Sequence, residues 1–136
     1  KNGKLICSVA RERMEYVFRH IITSGQSSSP SVAKIVHNEL VNVIATQAIE
    51  ALEEPANGVY GVDMKENRDG TPCVTEINIG RFYTTSNFYA SIGANLPEFY
   101  VSAALNEMLP EVRPLDAGVE DALWVRGMDK EPKLIV

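Results

Sequence analysis

Apolar and polar positions sort the chain into short segments whose period changes from two to about 3.6 and back. Lys4-Leu5-Ile6-Cys7-Ser8-Val9, entered through Asn2-Gly3, predicts a strand. Residues 11–20, with Arg11, Arg13, Arg19 and His20, have an ambiguous period and predict no particular element. Ser24-Gly25-Gln26-Ser27-Ser28-Ser29-Pro30 reads as a loop, and the apolar run Val32 to Val36 as a short strand. From Asn38, apolar residues at Val41, Ile44, Ala45, Ala48, Ile49 and Leu52 predict a one-sided helix that stops before Pro55. Strands over 58–65 and 71–78 flank Glu66-Asn67-Arg68-Asp69-Gly70, a hairpin signal, and a Gly/polar loop follows. A second helix runs from Asn95 or Pro97 to about Leu109. The tail, 123–125 and 134–136, predicts closing strands. Together these elements predict an α+β fold, a mainly antiparallel sheet with helices packed on one face, in a single domain over 1–136.

Composition narrows the function classes. The chain has 136 residues, 45% of them hydrophobic, and no apolar run approaches the roughly 20 residues that span a bilayer. No signal-peptide pattern follows Lys1, so a soluble protein without membrane contact is expected, and a cytoplasmic one from the two cysteines Cys7 and Cys73. A formal charge of −5 with scattered basic residues argues against nucleic acid as a partner. Cys7 and Cys73 lack metal-ligand spacing and predict reduced thiols. Lys1 reads as a start in mid-fold, and the chain is expected to be a piece of a longer protein.

The hairpin carries the candidate chemistry. A two-residue primed turn at Asp69-Gly70 would make cross-strand partners sum to 139, placing Asp63 opposite Glu76 and Asn78 on the same face. Tyr60, Val62 and Met64, with Ile77 and Ile79, would take the other face. Pro72 fits this register, because it falls on a non-hydrogen-bonded pair. Asp63 and Glu76 would also fall on such a pair, with Cβ atoms roughly 5 Å apart. Two carboxylates at that separation repel by about 3 kcal/mol at an effective dielectric near 20. A shared proton would offset this; a divalent ion such as Mg²⁺, which takes hard oxygen ligands, would also account for Asn78. Spacing alone leaves open that these acids are simply solvated.

Gly58-Val59-Tyr60-Gly61-Val62-Asp63, then Thr75-Glu76-Ile77-Asn78, a Gly/Arg loop and an apolar helix resemble the large lobe of ATP-grasp proteins of the carbamoyl phosphate synthetase kind. The resemblance runs from Lys4 to about Leu109 and is strongest from Gly58 to Pro97. It implies the C-terminal lobe of an ATP-grasp domain, in which Asp63, Glu76 and Asn78 bind the magnesium ions that bridge the phosphates of ATP, with Glu76 bridging and Mn²⁺ an admissible substitute. The activity it implies is ATP-dependent ligation of a small-molecule carboxylate to ammonia or an amine through an acyl phosphate. It further implies an upstream small lobe and N-terminal domain in the parent protein, with a homodimer admissible, and an isolated chain that is inactive. The sequence departs from the family in reading Asn78-Ile79-Gly80-Arg81 where Asn-Pro-Arg or Asn-Pro-Gly is common. It also has Thr23-Ser24-Gly25 where carbamoyl phosphate synthetases often carry a histidine. The expectation is therefore a related ligase whose carboxylate the residues leave open.

Arg81 inherits the clamping, catalytic role. Arg11 and Arg13 are candidate substrate contacts, since guanidinium pairs with carboxylate and phosphate. Thr84 and Thr85 would line the acyl-phosphate end if their loop folds back; otherwise they cap the following turn. Ser24 and Gly25 offer a hydroxyl and backbone N–H groups to phosphate without the spacing of a P-loop. His20 and His37 have no catalytic partner at readable spacing. Trp124 and the aromatic residues 82, 83, 88 and 89 read as core or interface. Two other functions are compatible with these residues, a non-catalytic ATP-grasp-like binding or oligomerisation module and a simple divalent-metal-binding protein.

Overall fold

Strand and helix boundaries follow the side-chain pattern over most of the chain. The computed structural model describes residues 1–17, 29–127 and 131–136; the predicted phosphate contacts Ser24 and Gly25 lie outside these. In chain order the elements are β1 (Ala10–Tyr16), β2 (Pro30–Val36), α1 (Glu39–Glu50), β3 (Tyr60–Glu66), β4 (Pro72–Ile79), α2 (Ser86–Ser91), α3 (Leu96–Leu105), β5 (Leu123–Val125) and β6 (Lys133–Ile135). The architecture is α+β, with antiparallel sheets and, among the described residues, three helices. The strands form two sheets: β1-β2-β5-β6 and the hairpin β3-β4. No helix among the described residues is long and apolar enough to cross a membrane.

The strand predicted over Lys4–Val9 is displaced. Those residues join no ladder, and the strand begins at Ala10, in the stretch whose period predicts nothing. The apolar character of Cys7 and Val9 reflects packing against a core of Ile35, Tyr89, Ala94, Ala117 and Ala122. In β1 it is Arg11 and Arg13 that face inward, a pattern that hides the period because these half-buried positions carry charge. Arg11 pairs with Ile35 and Arg13 with Ala33, while Ala33 also pairs with Trp124. Opposite partners share a face, so both arginines stand on the face that holds Trp124. Ala33, Ile35 and Trp124 are almost fully buried.

Helix α1 starts where expected, with the Asn38 side chain accepting a hydrogen bond from the Val41 N–H at 3.1 Å. It ends at Glu50, before Leu52, which is exposed. Helix α3 is shorter than predicted, because Asn106 adopts a left-handed conformation (φ 58°) and stops it at Leu105. Helix α2 replaces part of the expected loop. It lays Phe88 flat on Trp124, with ring centroids 4.7 Å apart.

Candidate functional site

The hairpin turn differs from prediction, and a second irregularity cancels the difference. The Asn67 N–H donates to the Thr71 carbonyl at 2.9 Å, and the Gly70 N–H donates to the Asn67 carbonyl at 3.1 Å. Arg68-Asp69-Gly70 is therefore a three-residue loop with only Gly70 left-handed (φ 77°), not a two-residue turn at Asp69-Gly70. The Asn67 side chain secures it by accepting from the N–H groups of Asp69 and Thr71, both at 2.9 Å. Pairing near the turn thus slips by one residue: Pro72 lies opposite Glu66 and Val74 opposite Met64. A bulge at Thr75, whose hydroxyl donates to the Asp63 carbonyl at 3.0 Å, restores the predicted pairing. Beyond it Asp63 lies opposite Glu76, Val62 opposite Ile77, and Gly61 opposite Asn78.

Asp63 has acquired partners that the sequence did not reveal. Its Oδ1 accepts a charged hydrogen bond from Arg13 and a second from the Tyr83 hydroxyl at 3.2 Å. This guanidinium answers the repulsion between Asp63 and Glu76, in addition to whatever a proton or a metal would contribute. Tyr83 reaches Asp63 because residue 61 is glycine; a Cβ there would lie 2.5 Å from the Tyr83 hydroxyl. Burial first, and then the charge of Asp63, push the Tyr83 phenol up to about 12. Oδ2 of Asp63 has no hydrogen-bond partner among the described residues. Glu76 is exposed on the facing strand, and Asn78 Oδ1 accepts from Arg81 at 2.6 Å. The free donors, one carboxylate oxygen, a whole carboxylate and an amide oxygen with a second lone pair, suit a hard divalent cation. No cluster of three or more His, Cys, Asp or Glu placed for a metal occurs among the described residues.

A second group of side chains gathers around Trp124. The Arg11 guanidinium donates to the Thr85 hydroxyl and sits 4.8 Å from the Tyr83 ring centroid and 5.7 Å from that of Trp124. Arg126, two residues beyond Trp124, lies 5.4 Å from the same ring centroid. It donates to the Thr84 hydroxyl at 3.2 Å and to the Pro30 carbonyl at 3.1 Å. Thr85 is buried at the N-terminus of α2 but makes no capping bond with its side chain; its hydroxyl serves Arg11 instead. Burial, then the positive charge of Arg11, lower the pKa of Arg126. The Trp124 indole N–H is buried without a hydrogen-bond partner among the described residues.

A cavity of about 760 Å³ runs beside residues 5–13 and residues 57–66 and takes in Arg11, Arg13, Asp63, Arg81 and Tyr83, but its lining does not include Glu76, Asn78, Thr84, Thr85, Trp124 or Arg126. Val41, Ala45 and Ile49 of α1 also line it, so the apolar stripe of that helix faces the cavity. The structure thus places Arg11 beside Thr85, Arg13 on Asp63, and Arg81 on Asn78. Thr84 meets Arg126, which the sequence did not single out; Tyr83 was expected only as core or interface, and Gly61 only as part of the hairpin motif. One signal was legible: Trp124 and Arg126 lie two apart at the end of a strand, and so share a side. Compared with known proteins, the chain matches no family model, no curated protein and no solved structure.

Proposed function

We propose that the chain is the Mg²⁺- and ATP-binding lobe of an ATP-grasp ligase, related to carbamoyl phosphate synthetases, that activates a small carboxylate as an acyl phosphate. One observation carries this reading: Asp63 and Glu76 are cross-strand partners with Asn78 on the same face. Asp63 through Oδ2, Glu76 through its carboxylate and Asn78 through its amide oxygen would hold the ion. An ion held there would supply charge neutralisation for the phosphates in a transfer of the γ-phosphoryl group to a carboxylate oxygen with ADP as the leaving group. Arg13 and Tyr83 orient the Asp63 carboxylate, and Arg81 orients the Asn78 amide. Arg81 also lines the cavity, where its guanidinium can clamp an oxyanion. Phosphoryl transfer asks chiefly for positioning and charge neutralisation. The partners this implies are a small lobe that closes over ATP and a carboxylate substrate.

A non-catalytic binding module is favoured by one specific feature, the Arg13–Asp63 ion pair, which compensates Asp63 without a metal. Paramagnetic Mn²⁺, added substoichiometrically to the isotope-labelled chain, separates the two readings. The ligase reading expects the amide signals of Asp63, Glu76 and Asn78 to broaden first, with Glu76→Gln abolishing the preference. Equal broadening at exposed acids elsewhere, such as Glu39 and Asp121, sinks the metal site.

A further inference from the structure

We propose that Arg11 and Arg126, framed by Thr84, Thr85 and Trp124, form a binding site for a small oxyanion, a carboxylate or a phosphoryl group. The chain has two inward arginines on β1, and their surroundings differ. Arg13 has its counter-charge in Asp63. Arg11 has no carboxylate within ion-pair distance among the described residues, and neither does Arg126. Both guanidiniums lie within 6 Å of one indole centroid, so two like charges share a half-buried setting with no carboxylate of the described residues paired to either. The cost of that arrangement is offset when an oxyanion occupies it.

The donors are also prepared for such a ligand. Each guanidinium is anchored on a neighbouring threonine hydroxyl, Thr85 for Arg11 and Thr84 for Arg126. A guanidinium carries five N–H donors in a planar fork. The bonds to Thr84, Thr85 and Pro30 leave most of these ten without a partner among the described residues. The Trp124 N–H of the same group is buried and has no partner among the described residues. Stacking by Phe88 on Trp124 and by the Tyr83 ring near Arg11 restricts the rotamers, so little side-chain entropy remains to be lost on binding. In the ligase reading this anion is the acid group of the carboxylate substrate or its acyl phosphate. That identity rests on the proposed function; the anion site itself does not.

Trp124 is the chain's single tryptophan and reports directly on the site. Its fluorescence is followed while inorganic phosphate or acetate replaces chloride at constant ionic strength. The expected result is a saturable change with phosphate, acetate or both, the stronger of the two naming the preferred oxyanion. Arg126→Ala should weaken the midpoint at least tenfold, and Arg126→Lys, which keeps the charge and loses the fork, should weaken it severalfold. The lysine variant decides the matter if the alanine variant does not fold. A response no different from that to chloride, or an unchanged midpoint in a folded Arg126 variant, overturns the proposal. Glu76→Gln should leave the titration unaltered, and absence of the Mn²⁺ preference in the unsubstituted chain together with retained anion binding would sink the metal site alone.

Discussion

At the scale of single residues, Gly61 decides whether the site exists in this form. Its backbone φ is unexceptional, so the requirement is space: a Cβ would lie 2.5 Å from the Tyr83 Oη and 2.6 Å from Cζ. The phenol would have to leave, surrendering its hydrogen bond to Asp63 and its place beside Arg11. Gly61→Ala is therefore expected to destabilise the chain by about 1–3 kcal/mol, the usual range for forced overpacking. In a Tyr83→Ala background most of that cost should disappear. Urea unfolding of the four proteins of this double-mutant cycle measures the difference. Additive costs would show that the glycine serves some purpose other than admitting Tyr83. Nothing local marks Gly61 for this role, because the atom that needs the room comes from 22 residues further along the chain.

At the scale of elements, the hairpin explains why the site was legible although its turn was not. Periodicity located both strands, and pairing followed from the assumed turn, which was one residue too short. The Thr75 bulge removed that error before Asp63, and no pattern of side chains announces a bulge that a single hydroxyl-to-carbonyl bond accommodates. The displaced first strand has the opposite cause: its inward positions are arginines whose contacts, Asp63, Thr85 and aromatic rings, are all distant in sequence. The two turn geometries make different demands. A two-residue primed turn requires positive φ at Asp69, and in type I′ at Gly70 as well, whereas here only Gly70 has it. Gly70 has open space where a Cβ would go, so Gly70→Ala should cost about 1–2 kcal/mol from backbone strain alone. Gly70→Asn should cost less, and Asp69→Ala almost nothing. Urea midpoints of the three variants check this, and an Asp69→Ala cost equal to that of Gly70→Ala would restore the two-residue turn.

At the scale of the whole molecule, the groups that burial perturbs most all favour their neutral forms. Desolvation pushes the Cys7 thiol from 9.0 up to about 11 and, with Asp63, the Tyr83 phenol from 10.0 up to about 12; Tyr89, in the core, is raised as well. The sign follows from proton counting. As pH rises through the ordinary values, the unfolded chain releases these protons while the folded chain keeps them, so the unfolded state is favoured. Their contribution is fully present below about pH 9 and is lost as pH climbs toward 12. Urea midpoints should therefore hold between pH 7 and 9 and fall steadily from pH 9 to 11. Tyr83→Phe lowers the midpoint at pH 8 by removing the bond to Asp63, yet it should flatten the decline above pH 10; Cys7→Ala should flatten it between pH 9 and 11. The slope, not the level, is the diagnostic, because a purely structural loss shifts all pH values together. A midpoint that stays constant to pH 11, or variants that decline in parallel with the parent, would mean that these groups are solvated, and that the cavity beside Arg11, Arg13 and Tyr83 admits water freely enough to ionise them.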